Sequence, residues 1–250
     1  MEKSDNSGTG IINEIKEQGY CVLRNHFPSS LIIACREAFW PVLTEYIEKN
    51  KENSNRGAHR HFIPMPFHPP CFAPDFFFNK TILHIVQALL GPRILIDQWG
   101  CDVPLKGSVH QDIHADFQRP LFPEIPDLQL PAYMLMVSFG LMKIDMDKGP
   151  IEIAAGTHLL SREEGINKVK SGLIRLVPVT LEIGDVLIRH PWTLHRGTPN
   201  LTSIPRALVS LRYVRNWYAD QSREVNPVPL AIWKSLDIKQ QNLMRFPLEG

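Results

Sequence analysis

The sequence HQDIHADF, residues 110–117, contains two His-x-Asp pairs, His110/Asp112 and His114/Asp116. Side chains two residues apart point to the same face of an extended strand, so each pair can present an imidazole and a carboxylate together. With one more distant histidine, either pair would give two histidines and one carboxylate, a set that binds Fe(II) and leaves coordination positions open. All four side chains lie on one face of a regular strand, so the spacing alone does not choose between the pairs.

Two residues downstream extend this pattern. His195 lies beyond a predicted strand, and Arg206 begins the next predicted strand eleven residues later. A lone histidine is more often a surface or core residue than a metal ligand, and a lone arginine is often an ordinary surface charge. The guanidinium of Arg206 nevertheless offers the planar two-donor fork that binds a carboxylate. The combination is therefore a stronger signal than either pair alone.

The chain from residue 92 onward is rich in β-forming residues. Turn signals such as Lys148-Gly149-Pro150 separate the runs, and no long helices alternate with them, which argues against a parallel βαβ sheet. Strands are predicted over residues 94–99, 132–141, 151–153, 173–181, 186–188 and 207–214.

The N-terminal part predicts helices instead. Residues 52–80 between them are irregular but too apolar for a disordered linker, so we expect them to pack over the core. We expect Pro41 to kink or divide the helix that contains it. Helices are predicted over about 8–18, 29–51 and 81–90, and a strand over 20–23.

Helices first and many short strands later predict a mainly β protein with flanking helices. The architecture we expect is a double-stranded β-helix of the jelly-roll, cupin-like kind. The length of 250 residues is compatible with a single domain over 1–250. Its parts would be a helical N-terminal part at about 1–91, a jelly-roll core at about 92–216 and a C-terminal tail at about 217–250.

Composition excludes several classes of function. The net charge is +1, which gives no electrostatic argument for binding nucleic acid or an anionic membrane. The longest apolar stretches are too short to span a membrane, and the polar N-terminus lacks a signal-peptide core. The four cysteines lack metal-type spacing and are expected to be reduced, buried thiols. We therefore expect a cytoplasmic protein that binds neither nucleic acid nor membrane.

From residue 107 to residue 213 the chain resembles the phytanoyl-CoA dioxygenase superfamily of Fe(II)- and 2-oxoglutarate-dependent oxygenases. The motifs occur in the family's order and cover a little under half of the chain. They are Gln111-x-x-His114-x-Asp116, Leu121-Phe122-Pro123-Glu124, Gly149-Pro150, Gly156-Thr157-His158, Gly184-Asp185-Val186, His195-Arg196-Gly197-Thr198-Pro199-Asn200 and Arg206.

The resemblance implies roles for individual residues. It implies that His114, Asp116 and His195 bind Fe(II). It also implies that Arg206 binds the distal carboxylate of 2-oxoglutarate and that Gln111 donates an amide hydrogen bond to this co-substrate. O2 would be the second co-substrate.

The resemblance also bears on the choice between the two pairs. Some branches of the family carry the ligands as His-Gln-Asp, which residues 110–112 match. Others place the ligands three residues after a Gln and before a Leu-Phe-Pro stretch, which favours His114 and Asp116. His110 and Asp112 then become neighbours of the site, where a carboxylate can orient a ligating imidazole.

Two positions bear on the co-substrate contacts and on the type of reaction that the resemblance implies. Many relatives carry a Thr that faces 2-oxoglutarate after this Gly-Pro, but here the residue is Ile151. Its contact would be lost or supplied by Ser138 or Ser210. Related halogenases replace the ligating carboxylate by a small residue, so Asp116 argues against halogenation.

The implied reaction is oxidation of a C–H bond in a small molecule, with hydroxylation as the first choice. It is coupled to decarboxylation of 2-oxoglutarate to succinate and CO2. Desaturation, epoxidation, cyclisation or epimerisation in natural-product biosynthesis is the alternative with the same cofactors. A non-catalytic jelly-roll binding protein is the alternative of another class.

The substrate pocket is less well defined by the sequence. The basic run at residues 56–61 could face an anionic group of the substrate, although a solvated loop is the favoured interpretation. Aromatic and Met side chains on strands are more often core than pocket. The pocket candidates of this kind are Trp99, Phe117, Tyr133, Met134 and Trp192.

Overall fold

Two antiparallel sheets form the centre of the protein in the computed structural model, which describes residues 8–116, 121–122, 124–125, 130–218 and 224–250. The larger sheet has the strand order β1-β7-β4-β9-β3-β2 and the smaller has the order β6-β5-β8. The strands are β1 (Tyr20–Leu23), β2 (Arg60–Pro64), β3 (Ile94–Pro104), β4 (Met134–Gly140), β5 (Ile151–Ile153), β6 (Val177–Val179), β7 (Val186–Arg189), β8 (His195–Gly197) and β9 (Leu208–Arg215).

Helices flank these sheets, as the sequence predicts. The helix containing Pro41 runs without a break, so the predicted division of this helix is wrong. The side chain of Asn79 caps α4 by accepting from the backbone N–H groups of Thr81 and Ile82. The helices are α1 (Gly8–Gln18), α2 (Ser29–Lys49), α3 (Pro74–Phe77), α4 (Lys80–Leu90), α5 (Arg162–Lys170), α6 (Leu230–Ser235) and α7 (Ile238–Leu243).

The larger sheet separates a hydrophobic core from a cavity. On β4, Leu135 and Val137 belong to the core, whereas Met136 and Ser138 line the cavity. Strand β9 repeats this alternation, because successive side chains of a strand point to opposite faces. The larger sheet therefore has the hydrophobic core on one face and the cavity on the other.

The Phe-rich segment between β2 and α4 packs on the core face. Phe76 stacks on Phe139 of β4 with ring centroids 4.7 Å apart, and Phe77 lies 4.8 Å from Trp99. The expectation that residues 52–80 pack over the core is confirmed, but they also contain β2 and α3, which the sequence did not predict.

The structure adds detail to each predicted part of the chain. Strands β1 and β2 of the N-terminal part belong to the larger sheet, so this part contributes to the sheet as well as its helices. The strand predicted over 173–181 shrinks to β6, and α5 precedes it where no element was predicted. The C-terminal tail contains α6 and α7, and Met244 forms a bridge to Ile96 of β3.

Two further expectations concern thiols and membranes. The four cysteines, Cys21, Cys35, Cys71 and Cys101, are buried and free, as predicted. Within the described ranges, no helix combines the length and apolar character needed to cross a membrane.

Candidate metal centre

A cavity of about 370 Å³ lies between the two sheets. Ile151 of β5 and His195 of β8 form part of its wall on the side of the smaller sheet. Met134, Ser138 and Ser210 line it on the larger sheet. The cavity therefore collects side chains that are distant in sequence.

His114 and His195 are brought together by backbone pairing. The N–H of His114 donates to the carbonyl of His195 at 3.0 Å, and the N–H of His195 donates back at 2.9 Å. Gln111 binds the next part of β8, because its side-chain Oε1 accepts from the N–H of Gly197 at 3.0 Å. Outside this single bridge, residues 110–116 form no strand. The regular strand assumed for the spacing argument is absent there.

Both imidazoles are oriented through Nδ1. The Nδ1 atom of His114 lies 2.7 Å from the carbonyl of Asp112, and that of His195 lies 2.9 Å from the carbonyl of Thr193. Donation from Nδ1 to a carbonyl leaves Nε2 with a free lone pair, the arrangement typical of metal-binding histidines. The ring centroids lie 4.4 Å apart.

The carboxylate of Asp116 lies beside His195. Its Oδ1 is 3.6 Å from Nε2 of His195. The backbone N–H of Asp116 donates to the carbonyl of Pro191 at 2.9 Å, which holds residue 116 next to the loop that leads into β8. The side chains of His114, Asp116 and His195 therefore all line the same cavity.

Arg189, at the end of β7, binds this carboxylate. Its Nη1 donates to Oδ2 of Asp116 at 2.8 Å and its Nη2 donates to Oδ1 at 3.1 Å. The same Nη1 lies 3.1 Å from Nδ1 of His195. We call His114, Asp116, Arg189 and His195 the metal-site cluster.

Charge and burial act together in the metal-site cluster. Burial is the largest single influence on the pKa of Asp116 and raises it, but the charge and hydrogen bonds of Arg189 together with the charges of His195 and His114 lower it overall. Burial, with the nearby charge of Arg189, lowers the pKa of His195 to about 3. At neutral pH the cluster therefore consists of a neutral His195 and an ionised Asp116.

The donor set of the metal-site cluster fits a divalent metal, but Arg189 shares it. Across the described ranges, no group of three His, Cys, Asp or Glu side chains is arranged as a ready metal site. Both oxygens of Asp116 accept hydrogen bonds from Arg189. The donor types present, two imidazoles and one carboxylate, are those of a two-histidine, one-carboxylate iron site.

The other His-x-Asp pair lies at the surface. The side chains of His110 and Asp112 are both exposed. Asp112 contributes to the metal-site cluster through its backbone carbonyl, which binds Nδ1 of His114. We expected a carboxylate in this orienting role, and the structure uses a carbonyl instead.

A second cluster of charges lies at the same cavity, which two of its members, Asp102 and Arg206, line. Arg206 and Arg60 are each only 1% exposed. Nη2 of Arg206 lies 3.2 Å and Nη1 of Arg60 lies 3.7 Å from the same Oδ2 of Asp102. We call Arg60, Asp102 and Arg206 the arginine cluster. Two guanidiniums and one carboxylate give it a net charge of +1.

The arginine cluster also holds unpaired donors. Nε of Arg206 and Nη1 of Arg60 are buried and have no hydrogen-bond partner among the described residues. The interpretation of Arg206 as an ordinary surface charge is therefore wrong. The preceding loop is fixed by Asn200, whose Nδ2 donates to the carbonyls of Pro104 and Ile204.

The basic run at 56–61 divides into two parts. Residues 56–59 are exposed, as a solvated loop would be, but Arg60 and His61 are buried at the start of β2. The solvated-loop interpretation is thus wrong for the last two residues. Arg56 lines the cavity and lies over the ring of Phe62 at 4.9 Å.

The remaining predicted residues lie in different places. Ile151, Ser138 and Ser210 line the cavity, and the two serine Oγ atoms are 3.1 Å apart. Of the aromatic and Met candidates, Met134 lines the cavity. Trp99 and Tyr133 are fully buried, and Trp192 packs on Tyr133 with ring centroids 5.9 Å apart. Phe117 and Pro123 lie outside the described residues.

Sequence reasoning missed Arg189 and Asp102. The signal for Arg189 was a charged residue at the end of the apolar run Val186–Arg189, whose four positions are all buried. A buried charge needs a partner, so an arginine in such a strand indicates a carboxylate nearby. Asp102 gave no comparable signal, because its two partners come from β2 and from the loop before β9.

Comparison with known proteins gives a family and a fold. The model of the family described as Phytanoyl-CoA dioxygenase (PhyH) matches residues 15–208. The solved structure of SnoK, a non-heme alpha-ketoglutarate-dependent carbocyclase from nogalamycin biosynthesis, has a TM-score of 0.63 and 18% identity over 86% of each chain.

Two further solved structures contain ligands. The epimerase SnoN in complex with Fe3+, alpha-ketoglutarate and nogalamycin RO has a TM-score of 0.62 and 15% identity, over 88% of this chain and 95% of SnoN. EctD from S. alaskensis with 2-oxoglutarate and 5-hydroxyectoine has a TM-score of 0.60 and 18% identity, over 86% and 79%. These similarities show the jelly-roll fold of Fe(II)/2-oxoglutarate oxygenases.

Proposed function

The chain belongs to the phytanoyl-CoA dioxygenase (PhyH) family, and on that premise we propose that it is a non-haem Fe(II)/2-oxoglutarate-dependent dioxygenase acting on a small molecule. The observation that carries the proposal is the meeting of His114, Asp116 and His195 at one cavity wall. Iron, with 2-oxoglutarate and O2, supplies decarboxylation to succinate and CO2 and the oxidation of a C–H bond.

In this proposal the metal-site cluster holds Fe(II). His114 and His195 offer Nε2 lone pairs, because their Nδ1 atoms face carbonyls. Asp116 offers a carboxylate oxygen that already lies 3.6 Å from His195 Nε2. A retained carboxylate supports oxygen chemistry over halogenation.

The arginine cluster binds the distal carboxylate of 2-oxoglutarate. Its net positive charge and its unpaired donors on Arg206 and Arg60 suit one carboxylate in a low-dielectric wall. Gln111 is fixed on β8 through Oε1, which leaves its amide nitrogen to donate to the co-substrate. Ser138 and Ser210 provide the hydroxyls that Ile151 lacks.

We propose hydroxylation of a polar small molecule as the reaction. The cavity wall carries Gln98 and Arg212, and Arg212 is paired with Asp97 at 2.8 Å. Such a wall suits a polar substrate better than a long acyl chain. The fold also hosts other outcomes, since SnoK is a carbocyclase and SnoN an epimerase.

The test is formation of succinate by the purified protein with Fe(II), 2-oxoglutarate and O2, screened against candidate metabolites. We expect succinate that depends on Fe(II), is stimulated by one class of metabolite, and is absent from His195→Gln. The matched control His110→Gln should retain it. Product that gains an oxygen atom supports hydroxylation, whereas product that loses hydrogen or changes configuration supports the alternatives. If the wild type forms no succinate and retains no iron, the proposal that the protein is an enzyme is refuted.

A further inference from the structure

Arg189 is a buried cation in direct contact with two of the three residues that we assign to iron. Its side chain is 7% exposed, and that of Asp116 is 24% exposed. Both of its terminal nitrogens donate to Asp116, and one also approaches His195. The backbone of Arg189 is fixed in the larger sheet, where it pairs with Tyr20 on one side and Met136 on the other.

In this geometry Arg189 and a bound metal ion would both interact with the carboxylate of Asp116. A bidentate guanidinium–carboxylate pair is among the strongest hydrogen-bonded ion pairs in proteins. A divalent metal bound by Asp116 would share that carboxylate with Arg189, and two positive centres in a low-dielectric wall repel each other. The metal and the guanidinium are therefore competitors for Asp116.

We propose that Arg189 is the internal counter-ion of the metal-free site. It holds Asp116 in place beside His195 when no metal is bound, and it lowers the metal affinity of the site by competing for the carboxylate. Arg189 is thus a positioning residue, and the inference rests on the proposed function, in which Asp116 is a ligand.

A thermodynamic cycle fixes the direction of the effect. Removing Arg189 leaves the carboxylate of Asp116, whose side chain is 24% exposed, without its partner in the metal-free protein, which destabilises that state. In the metal-bound protein the metal ion still pairs with the same carboxylate, so removing Arg189 costs less stability there. Metal binding must therefore become tighter in a variant without the guanidinium, by the difference between the two losses.

The test compares Arg189→Met with wild type and with Arg196→Met. Arg196 lies next to His195 and pairs with Glu152 at 2.6 Å, so its removal controls for the loss of a nearby ion pair. We expect Arg189→Met to unfold at lower temperature without metal and to bind Mn(II) more tightly than wild type in anaerobic equilibrium dialysis, because the guanidinium no longer competes for Asp116. Arg196→Met should bind Mn(II) like wild type.

Arg189→Lys is the second variant, and it keeps the charge without the two-donor fork. We expect its Mn(II) affinity to lie between those of wild type and Arg189→Met, and it stands in if the Met variant does not fold. Unchanged or weaker Mn(II) binding in both variants would overturn the inference. If wild type itself binds no Mn(II) or Fe(II), the proposed function fails instead, so the two failures are distinguishable.

Discussion

The two clusters in the cavity balance their charges differently. In the metal-site cluster one guanidinium, Arg189, faces one carboxylate, Asp116, and both hydrogen bonds of the fork are made. In the arginine cluster two guanidiniums share the carboxylate of Asp102, and two of their N–H groups stay without a partner in the described structure. The first cluster is neutral and the second keeps a charge of +1.

This difference indicates what each cluster can bind. A neutral cluster with two imidazole lone pairs accepts a cation only if Asp116 is shared between the cation and Arg189. A cluster with a surplus positive charge accepts an anion without losing a partner. In the proposed function, the metal-site cluster is the cation site and the arginine cluster is the site of the co-substrate's distal carboxylate.

We expect the largest effect from removing the carboxylate of the metal-site cluster. We predict that Asp116→Asn lowers Mn(II) affinity more than about 100-fold, because loss of an outer partner alone costs about 10- to 100-fold. Asp112→Asn, on an exposed carboxylate two residues from His114, should leave the affinity unchanged. Equilibrium dialysis measures both. Equal losses in the two variants would remove the distinction between the His-x-Asp pairs.

We expect the next largest effect from removing the surplus positive charge of the arginine cluster. We predict that Arg206→Met weakens 2-oxoglutarate binding by about 2–5 kcal/mol, since a buried charge loses its partner. Mn(II) affinity should stay as in wild type, because Arg206 belongs to the other cluster. Calorimetric titration of 2-oxoglutarate into the Mn(II)-loaded protein measures the first quantity. A parallel loss of Mn(II) binding would mean that the two clusters do not act separately.

A smaller effect concerns pH and the two histidines beside Arg189. Burial, aided by nearby charges, lowers the pKa of both His195 and its neighbour His190 to about 3, whereas an unfolded histidine titrates near 6.5. Between these values the unfolded chain binds more protons. The free energy of unfolding therefore falls as pH falls below about 6.5, by about 1.4 kcal/mol per pH unit for each histidine.

His190→Gln tests this pH dependence. We predict that the variant loses the contribution of His190, so that its stability falls less steeply between about pH 6 and pH 5, in the upper half of the titration window. Asp116 contributes only below its ordinary value near 3.8, because its pKa is lowered. Urea unfolding of the metal-free protein gives the slope. A slope identical to that of wild type would contradict the buried, neutral His190.

The fold could be predicted well where local pattern decides it. The helix α1, the strand β1 and the strand β5 occur at the predicted residues because apolar spacing and turn residues specify them. Helix α5 was missed because its only buried residues are Gly165 and Val169, so it has almost no apolar stripe. Its polar signal was present: Ser161 caps it and acidic residues fill its first turn.

The site could be predicted only in part, because contacts between distant residues decide it. The family resemblance pointed to His114, Asp116, His195 and Arg206, and the structure places all four at one cavity. It could not show that Arg60 is buried, since this depends on β2 pairing with β3. Nor could it show that Arg189 binds Asp116, which lies 73 residues away.

The most direct test of the account is the visible charge-transfer band of the protein with Fe(II) and 2-oxoglutarate under anaerobic conditions. This band requires iron in the metal-site cluster and the co-substrate on the same iron. We predict that wild type and His110→Ala show the band and that His114→Ala does not. A band that survives in His114→Ala but disappears in His110→Ala would contradict the assignment of His114 and Asp116.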